Sequence, residues 1–277
     1  MPELPEVETI RRGLEAAVLG KSIRNVQINR HDLRVAVPEA FGQRVTGASI
    51  DALIRRGKYI IMQLAPNNVP VVLHLGMSGR IRIFESGESY SPRKHDHLVF
   101  HMDDSTCFAF EDPRRFGMMY IASDDGWDND KPFAQMGPEP LGVWSGQDLL
   151  AKLQNKKANI KSALLDQRVV AGLGNIYVCE ALYYAGVHPE RLSNTITSDE
   201  ADKIAASSKR VLKKAIEAGG STLRDYQHTD GSLGYFQHQF SVYDQKDRAC
   251  AHQGCGGAIE RIVQAGRSTF YCPVCQK

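Results

Sequence analysis

Four of the six cysteines fall in the last 28 residues: Cys250 and Cys255 are separated by four residues, sixteen more lead to Cys272, and two separate Cys272 from Cys275. Between the close pairs the chain reads as a hairpin, 258–264, a turn at Ala265-Gly266-Arg267, and 268–271. A hairpin that brings two thiolate pairs together builds a closed tetrahedral four-thiolate site, the arrangement of structural zinc. Two disulfides are the competing reading, disfavoured in a reducing compartment, and a redox Cys-x-x-Cys is disfavoured because no βαβ pattern surrounds it. His252 as a ligand would strand one thiol. With no open coordination position, such a metal stabilises a segment too small to fold alone and does not catalyse.

Catalysis has to be sought elsewhere, and the other end of the chain offers a nucleophile. Pro2 follows the initiator methionine, and a small penultimate residue permits methionine removal, which exposes a secondary amine. An α-amine has a pKa of about 8, so an appreciable neutral fraction attacks carbon electrophiles near neutrality. Met-Pro starts are common, and a bland helix-initiating loop is the competing reading. Glu3 beside the proline and Glu6 one helical turn on shift the balance, since carboxylates there can protonate a leaving group, accept a proton or tune the amine.

These groups need elements to hold them. Val7, Ile10, Leu14 and Ala17 or Val18 recur at three- and four-residue steps, with Pro5 opening and Gly20 closing, which predicts a helix over about 5–19. From 23 to 121 the texture changes to short Val/Ile/Phe-rich runs at 23–28, 59–64, 71–75, 81–84, 98–102 and 107–110, the pattern of a β-sandwich or barrel. Residues 126–146 hold Asp, Gly, Pro and Trp without periodicity and read as a linker after an N-terminal domain of 1–125. Helical periodicity follows at 147–154, 158–166, 174–185 and 199–218, the last opened by a capping box at Thr197-Ser198-Asp199-Glu200 and closed by Gly219-Gly220. A loop over 219–239 completes a helical domain of 147–240, and 241–277 is the cysteine-bearing hairpin. The expected class is α+β.

The 277 residues are 42% hydrophobic and 24% charged, an ordinary globular composition with room for two cores. The net charge of +2, from 34 basic against 32 acidic residues, gives no bulk warrant for nucleic acid, so any basic surface must be made locally. No apolar run approaches the ~20 residues that span a bilayer, and the acidic, proline-broken start is unlike a signal peptide, so the expectation is a cytoplasmic protein with no membrane partner.

Several segments in order carry a resemblance that covers the chain end to end: MPELPEVETIRRGL at the start, RRGKY (55–59), HLGMSGR (74–80), KHDH (94–97), DPRRFG (112–117), GLGNIYVCEAL (172–182), GYFQHQFSVY (234–243) and AGRSTFYCPVCQK (265–277). The chain resembles the formamidopyrimidine-DNA glycosylases, bacterial repair enzymes for oxidised purines. The resemblance implies an N-terminal helix with a β-sandwich, a helix-two-turn-helix domain and one zinc ion in the hairpin, in a monomer acting on double-stranded DNA with oxidised purines or abasic sites. It implies that Pro2 attacks the sugar C1′, that Glu3 is the catalytic acid and base, that Glu6 belongs to the active-site hydrogen-bond network, and that Lys58 and Arg267 serve the elimination steps. Met77, Arg114 and Phe116 match a wedge that fills the space of an extruded nucleotide, and His74, His95, Lys157 and Asn175 match contacts to the DNA backbone. Lys156, Lys157, Lys161 and Arg168 form a local basic feature. Ser221, Thr222, Leu223, Arg224, Asp225 and Tyr226 match a loop that caps the lesion; the chain departs from some relatives there and at Ser78. Two other readings stand beside this one: the related oxidised-pyrimidine glycosylase, whose start typically reads PEGPE where this chain reads Pro2-Glu3-Leu4-Pro5-Glu6, and a non-catalytic zinc-hairpin protein that binds distorted duplex.

Overall fold

The structure, a computed structural model, describes residues 1–66, 68–123, 125–221 and 234–277. Contacts divide the chain into two compact units, Met1–Ala134 with Ala218–Tyr235, and Gln135–Glu217 with Phe236–Lys277.

The first unit opens with helix α1 (Leu4–Val18), whose apolar stripe of Val7, Ile10, Leu14 and Val18 is fully buried at the predicted spacing. Then follow β1 (Ile23–Ile28), a short helix α2 (Phe41–Val45), β2 (Ser49–Arg56), β3 (Tyr59–Ala65), β4 (Val69–His74), β5 (Arg80–Phe84), β6 (Asp96–Met102), β7 (Cys107–Glu111), β8 (Met118–Ile121) and α3 (Lys131–Ala134). Two four-stranded sheets result, ordered β1-β6-β7-β5 and β2-β3-β4-β8, with every neighbour antiparallel. Their inner faces and α1 share one core, in which the Phe100 and Phe108 rings stack with centroids 4.5 Å apart and Phe41 meets Phe100 edge-on.

Strand β2 escapes a reading of the sequence because its pairing register shifts between Ile50 and Ala52, which throws its inside-outside alternation out of step. Helix α2 and strand β8 are too short to show a period. Part of the stretch 126–146 that reads as a linker is bound into the first unit. There Phe133 is buried against Trp127 and Tyr59, with ring centroids 5.1 and 5.0 Å away. Its later part is held by the second unit, through Gly137 N–H to Gln167 O at 2.8 Å and the buried Trp144. The division also differs from the sequence boundaries in assigning Ala218–Tyr235 to the first unit rather than to the helical segment.

The second unit contains α4 (Gly146–Leu153), α5 (Ile160–Leu165), α6 (Asn175–Ala185), α7 (Ser198–Glu217) and the hairpin β9 (Glu260–Gln264) and β10 (Arg267–Tyr271). Three of these helices have a side-chain cap where they start: Ser145 and Asp148 form a capping box for α4, Asn159 Oδ1 accepts Ser162 N–H at 2.8 Å for α5, and Thr197 and Glu200 cap α7. Helix α6 ends on Gly186, whose left-handed φ of +72° suits a glycine. Among the described residues no helix is long and apolar enough to cross a membrane.

Candidate active site and metal centre

At the head of α1, Pro2, Glu3 and Glu6 are all buried, the two carboxyl-bearing residues being only 4% and 2% exposed. Glu3 occupies the N-cap, so its extended backbone leaves its N–H free to donate to Glu6 Oε2, at 2.9 Å. Glu6 Oε1 accepts both the N–H of Ser221, at 2.8 Å, and its hydroxyl, at 3.0 Å. One carboxylate therefore ties the segment beside Pro2 to the chain just past α7. The positive end of the helix dipole favours both acids there. Gly220 makes the approach possible: its φ is +78°, and a Cβ would lie 3.1 Å from Glu6 Oε1.

Lys58 sits in the two-residue turn between β2 and β3, after Gly57 with φ +56°, and is buried despite its charge. The register of β3 and β4 places Tyr59 opposite His74, with ring centroids 4.5 Å apart. Burial, reinforced by the positive charges of Lys58 and Arg34, drives the His74 pKa down to about 4. His74 is thus neutral at pH 7. Its Nδ1 accepts Gly76 N–H at 3.0 Å, which leaves the proton on Nε2, a neutral donor suited to a phosphate oxygen.

Beyond His74, Met77 lies in the loop before β5 and Phe116 in the loop before β8, exposed by 36% and 45%. The Arg114 guanidinium carbon stands 4.9 Å from the Phe116 ring centroid. His95 is half-exposed just before β6. All of these belong to the first unit.

In the second unit the sulfur atoms of Cys250, Cys255, Cys272 and Cys275 lie within 4.8 Å of one another, and none of the four is in a disulfide. The Cys250–Cys275 and Cys255–Cys272 separations, 3.8 and 3.5 Å, match the edges of a tetrahedron with metal–sulfur bonds of about 2.3 Å. The donor set fits one zinc ion with every position filled by sulfur. His252 is a neighbour and not a fifth donor: its Nδ1 is 3.2 Å from Cys275 Sγ and its ring stacks on Tyr183, whose hydroxyl is 3.3 Å from Cys250 Sγ.

The hairpin beyond these thiols is anchored from the helices. Lys161 Nζ donates to Thr269 Oγ1 at 2.6 Å and to Ser268 O at 3.2 Å, and Asn175 Nδ2 donates to the same Ser268 carbonyl at 2.8 Å. Arg267 begins β10 with its side chain exposed, just after a turn in which Ala265 and Gly266 both take positive φ. The local basic feature read from Lys156, Lys157, Lys161 and Arg168 is corrected accordingly. Lys161 is 1% exposed because its charge serves the hairpin, and Lys156 and Arg168 both pair with Asp166, at 3.3 and 2.9 Å. Lys157 alone of the four is exposed without an ion-pair partner among the described residues. The Asn175 side-chain amide is engaged by the Ser268 carbonyl at the head of α6.

Of the six residues expected to cap a lesion, Ser221 is placed against Glu6; Thr222, Leu223, Arg224, Asp225 and Tyr226 lie outside the described residues. Four buried acids escape the sequence reading, Asp96, Glu111, Asp112 and Glu180. Glu180 on α6 accepts the N–H groups of Ser241, Val242 and Tyr243, and Asp112 organises the loop that carries Arg114 and Phe116. For Glu180 a signal existed, a lone carboxylate inside a helix that is otherwise apolar on all sides.

A buried acid pair at a helix start beside Pro2, antiparallel sheets whose loops present the exposed Met77 and Phe116, and a four-thiolate hairpin go together with matches to one class of protein, the zinc-hairpin DNA glycosylases. Family models match in order: the formamidopyrimidine-DNA glycosylase N-terminal domain over residues 1–119, its H2TH domain over 136–227, and the zinc finger found in FPG and IleRS over 250–277. A curated formamidopyrimidine-DNA glycosylase from Chelativorans sp. is 48% identical, with both chains covered in full. Among solved structures, a Lactococcus lactis Fpg variant in complex with Fapy-dG-containing DNA is similar over 100% of both chains, with TM-score 0.90 at 34% identity. The Fpg protein of Thermus thermophilus is similar over 99% of this chain and 98% of its own, with TM-score 0.86 at 36% identity. The chain belongs to the formamidopyrimidine-DNA glycosylase family.

Proposed function

We infer that this chain is a bifunctional DNA glycosylase and abasic-site lyase, which excises oxidised purines such as 8-oxoguanine and formamidopyrimidines from duplex DNA in base excision repair. The observation that carries the reading is full-length family membership together with the buried Pro2, Glu3 and Glu6 at the head of α1. Once Met1 is removed, the Pro2 nitrogen attacks C1′ of the damaged nucleoside and the C1′–N bond breaks with its electron pair leaving on the base. Glu3 moves the proton that this exchange requires. The proline nitrogen gives up its proton, the C1′–O4′ bond then breaks as O4′ takes a proton from Glu3, and the ring-opened product is an iminium joining Pro2 to C1′. It acidifies the C2′ proton, whose loss expels the 3′ phosphate by β-elimination; a second elimination expels the 5′ phosphate, and water then frees Pro2. An activated water could not link base loss to strand cleavage in this way, whereas an amine does.

In this reading Glu6 holds the segment beside Pro2 and Ser221 in place, and Lys58 and Arg267 assist the eliminations. His74, His95, Lys157 and Asn175 bind the backbone phosphates, while Met77, Phe116 and Arg114 occupy the vacated base step. Thr222 to Tyr226 complete the lesion contacts. Zinc, held by the four cysteines, supplies structural stabilisation of the hairpin that presents Arg267. The free cysteines suit the bacterial cytoplasm as the working compartment. Borohydride reduction tests the whole reading: the processed chain becomes covalently trapped on a duplex with 8-oxoguanine opposite cytosine, Pro2→Gly traps weakly, and Glu3→Gln largely fails to excise. Trapping on oxidised-pyrimidine duplexes alone would transfer the chain to the pyrimidine branch, and binding with no trapping would make it a non-catalytic reader of damage.

A further inference from the structure

Asp112 is a fully buried carboxylate at the junction of the two loops that bear the exposed side chains Met77 and Phe116. Its Oδ1 accepts the Ser78 hydroxyl at 2.6 Å and Arg114 N–H at 3.2 Å, and its Oδ2 accepts Gly117 N–H at 2.7 Å. The residue's own backbone is fixed as well. Its N–H donates to His95 O at 3.0 Å, and its carbonyl lies 2.7 Å from Nε2 of the buried His97. Two glycines remove the last barrier between the loops: a Cβ on Gly76 would lie 2.3 Å from the Phe116 carbonyl carbon, and one on Gly117 would lie 2.9 Å from His74 O. Backbone at 76 therefore touches backbone at 116, and the side chain of Asp112 pins residue 78 on one loop to residues 114 and 117 on the other. Met77 lies between the touching position and the pinned one.

We propose that Asp112 and Ser78 are a positioning pair that makes the Met77 loop and the Arg114–Phe116 loop a single rigid wedge, so that extrusion of a paired damaged nucleotide depends on their hydrogen bond. The inference rests on the glycosylase reading above. Driving apolar side chains into a base step costs a few kcal/mol of unstacking. Loops that yielded separately under that load would let the nucleotide return to the stack, whereas loops clasped by a buried carboxylate meet it preorganised. Neither Asp112 nor Ser78 reaches the reacting sugar; they act through the loops they hold.

The test uses the full, zinc-loaded chain with Ser78→Ala, which deletes the hydroxyl's bond to Asp112 and its weaker acceptance of Arg114 N–H at 3.3 Å, and Asp112→Asn, which turns one of two acceptor oxygens into a donor facing another donor. Extrusion is read by stopped-flow fluorescence of 2-aminopurine placed beside an 8-oxoguanine paired with cytosine. Chemistry is read by the rate of borohydride trapping on a preformed abasic site. On the strength of a lost buried hydrogen bond, extrusion slows about tenfold in Asp112→Asn and about threefold in Ser78→Ala, in each case several times more than trapping does. Equal slowing of both steps, or no slowing of extrusion in Ser78→Ala, overturns the proposal while leaving the glycosylase reading intact. A wild-type chain that neither extrudes nor traps overturns both. Should Asp112→Asn fail to fold, Ser78→Ala alone decides.

Discussion

Replacing Glu180 by alanine should loosen the attachment of the zinc hairpin to the helices of the second unit. Glu180 is 1% exposed, and its Oε1 accepts the N–H groups of Val242 and Tyr243, each at 2.9 Å. Ser241 N–H donates to Oε2 at 3.0 Å and, more weakly, to Oε1 at 3.2 Å. Burial pushes the carboxyl up, and the three backbone donors pull it back toward the ionised form. In Glu180→Ala all three donors lose their acceptor. A buried donor left without a partner costs about 1–3 kcal/mol. Val242 is fully buried and should bear about 2 kcal/mol, while Ser241 and Tyr243 are partly exposed and can take water at about 1 kcal/mol each, for a total of about 4 kcal/mol. Glu180→Gln keeps a carbonyl oxygen in the Oε1 position for Val242 and Tyr243 but turns Oε2 into a donor facing Ser241 N–H, so with the lost charge assistance about 2–3 kcal/mol is expected. Because the two units need not unfold together, the assay is unfolding in guanidinium followed by release of zinc to a chromophoric chelator, which reports on the hairpin itself. The expected order of midpoints is wild type, then Glu180→Gln, then Glu180→Ala. A Glu180→Ala chain with the wild-type midpoint and zinc-release rate would refute the reasoning, as would a Gln variant less stable than the Ala one.

Cys272→Ser should fall well below one zinc per chain by atomic absorption and bind abasic-site DNA weakly, since a lost ligand dismantles the hairpin that presents Arg267; full metal content with wild-type affinity would count against a four-thiolate site. His74 gives a pH dependence with a definite sign. Its folded pKa of about 4 lies below the ordinary 6.5, so the unfolded chain takes up a proton that the folded one refuses. Stability from this group is complete above about pH 6.5 and drains as pH falls toward 4, by at most about 3 kcal/mol and, for a partly exposed ring, about 1–2 kcal/mol. Urea midpoints at pH 7 and pH 4.5 should therefore differ more for wild type than for His74→Gln, and equal differences would exclude the histidine as the source. Gly76→Ala forces a side chain into a φ of +63° and into the Phe116 backbone 2.3 Å away. About 2–4 kcal/mol should be lost, seen as a lowered melting temperature, and a shift worth under about 1 kcal/mol would mean the loops are not in contact.

The local elements were legible wherever a period or a cap is written into consecutive residues. Helix α1 follows from its three-and-four spacing, α7 from its Thr197–Glu200 box, and β1 from its Val/Ile run, each within a residue or two of its observed span. Strand β2 was not, because the register shift at Asp51 erases the alternation on which such a reading depends. The zinc donors were legible for the same reason as the helices, since the spacing within each cysteine pair is itself the geometric requirement. Lys161 shows the opposite case. As a sequence position it belongs to a basic run, and only the return of Thr269 and Ser268, more than a hundred residues later, makes it a buried anchor.

Sequence alone thus determined which groups are available for chemistry: an N-terminal proline beside two acids, four thiols in two close pairs, and ordered segments shared with a family of DNA glycosylases. It did so because local hydrogen bonding and metal-ligand spacing act between neighbours along the chain. The tertiary structure decided what each charge is for. Glu6 is spent on Ser221 and the Glu3 amide, Glu180 on three turn amides, Asp112 on two loops, and Lys161 on the hairpin. A buried charge must find its partners wherever folding brings them, and those partners here lie from a few residues to more than two hundred away along the chain.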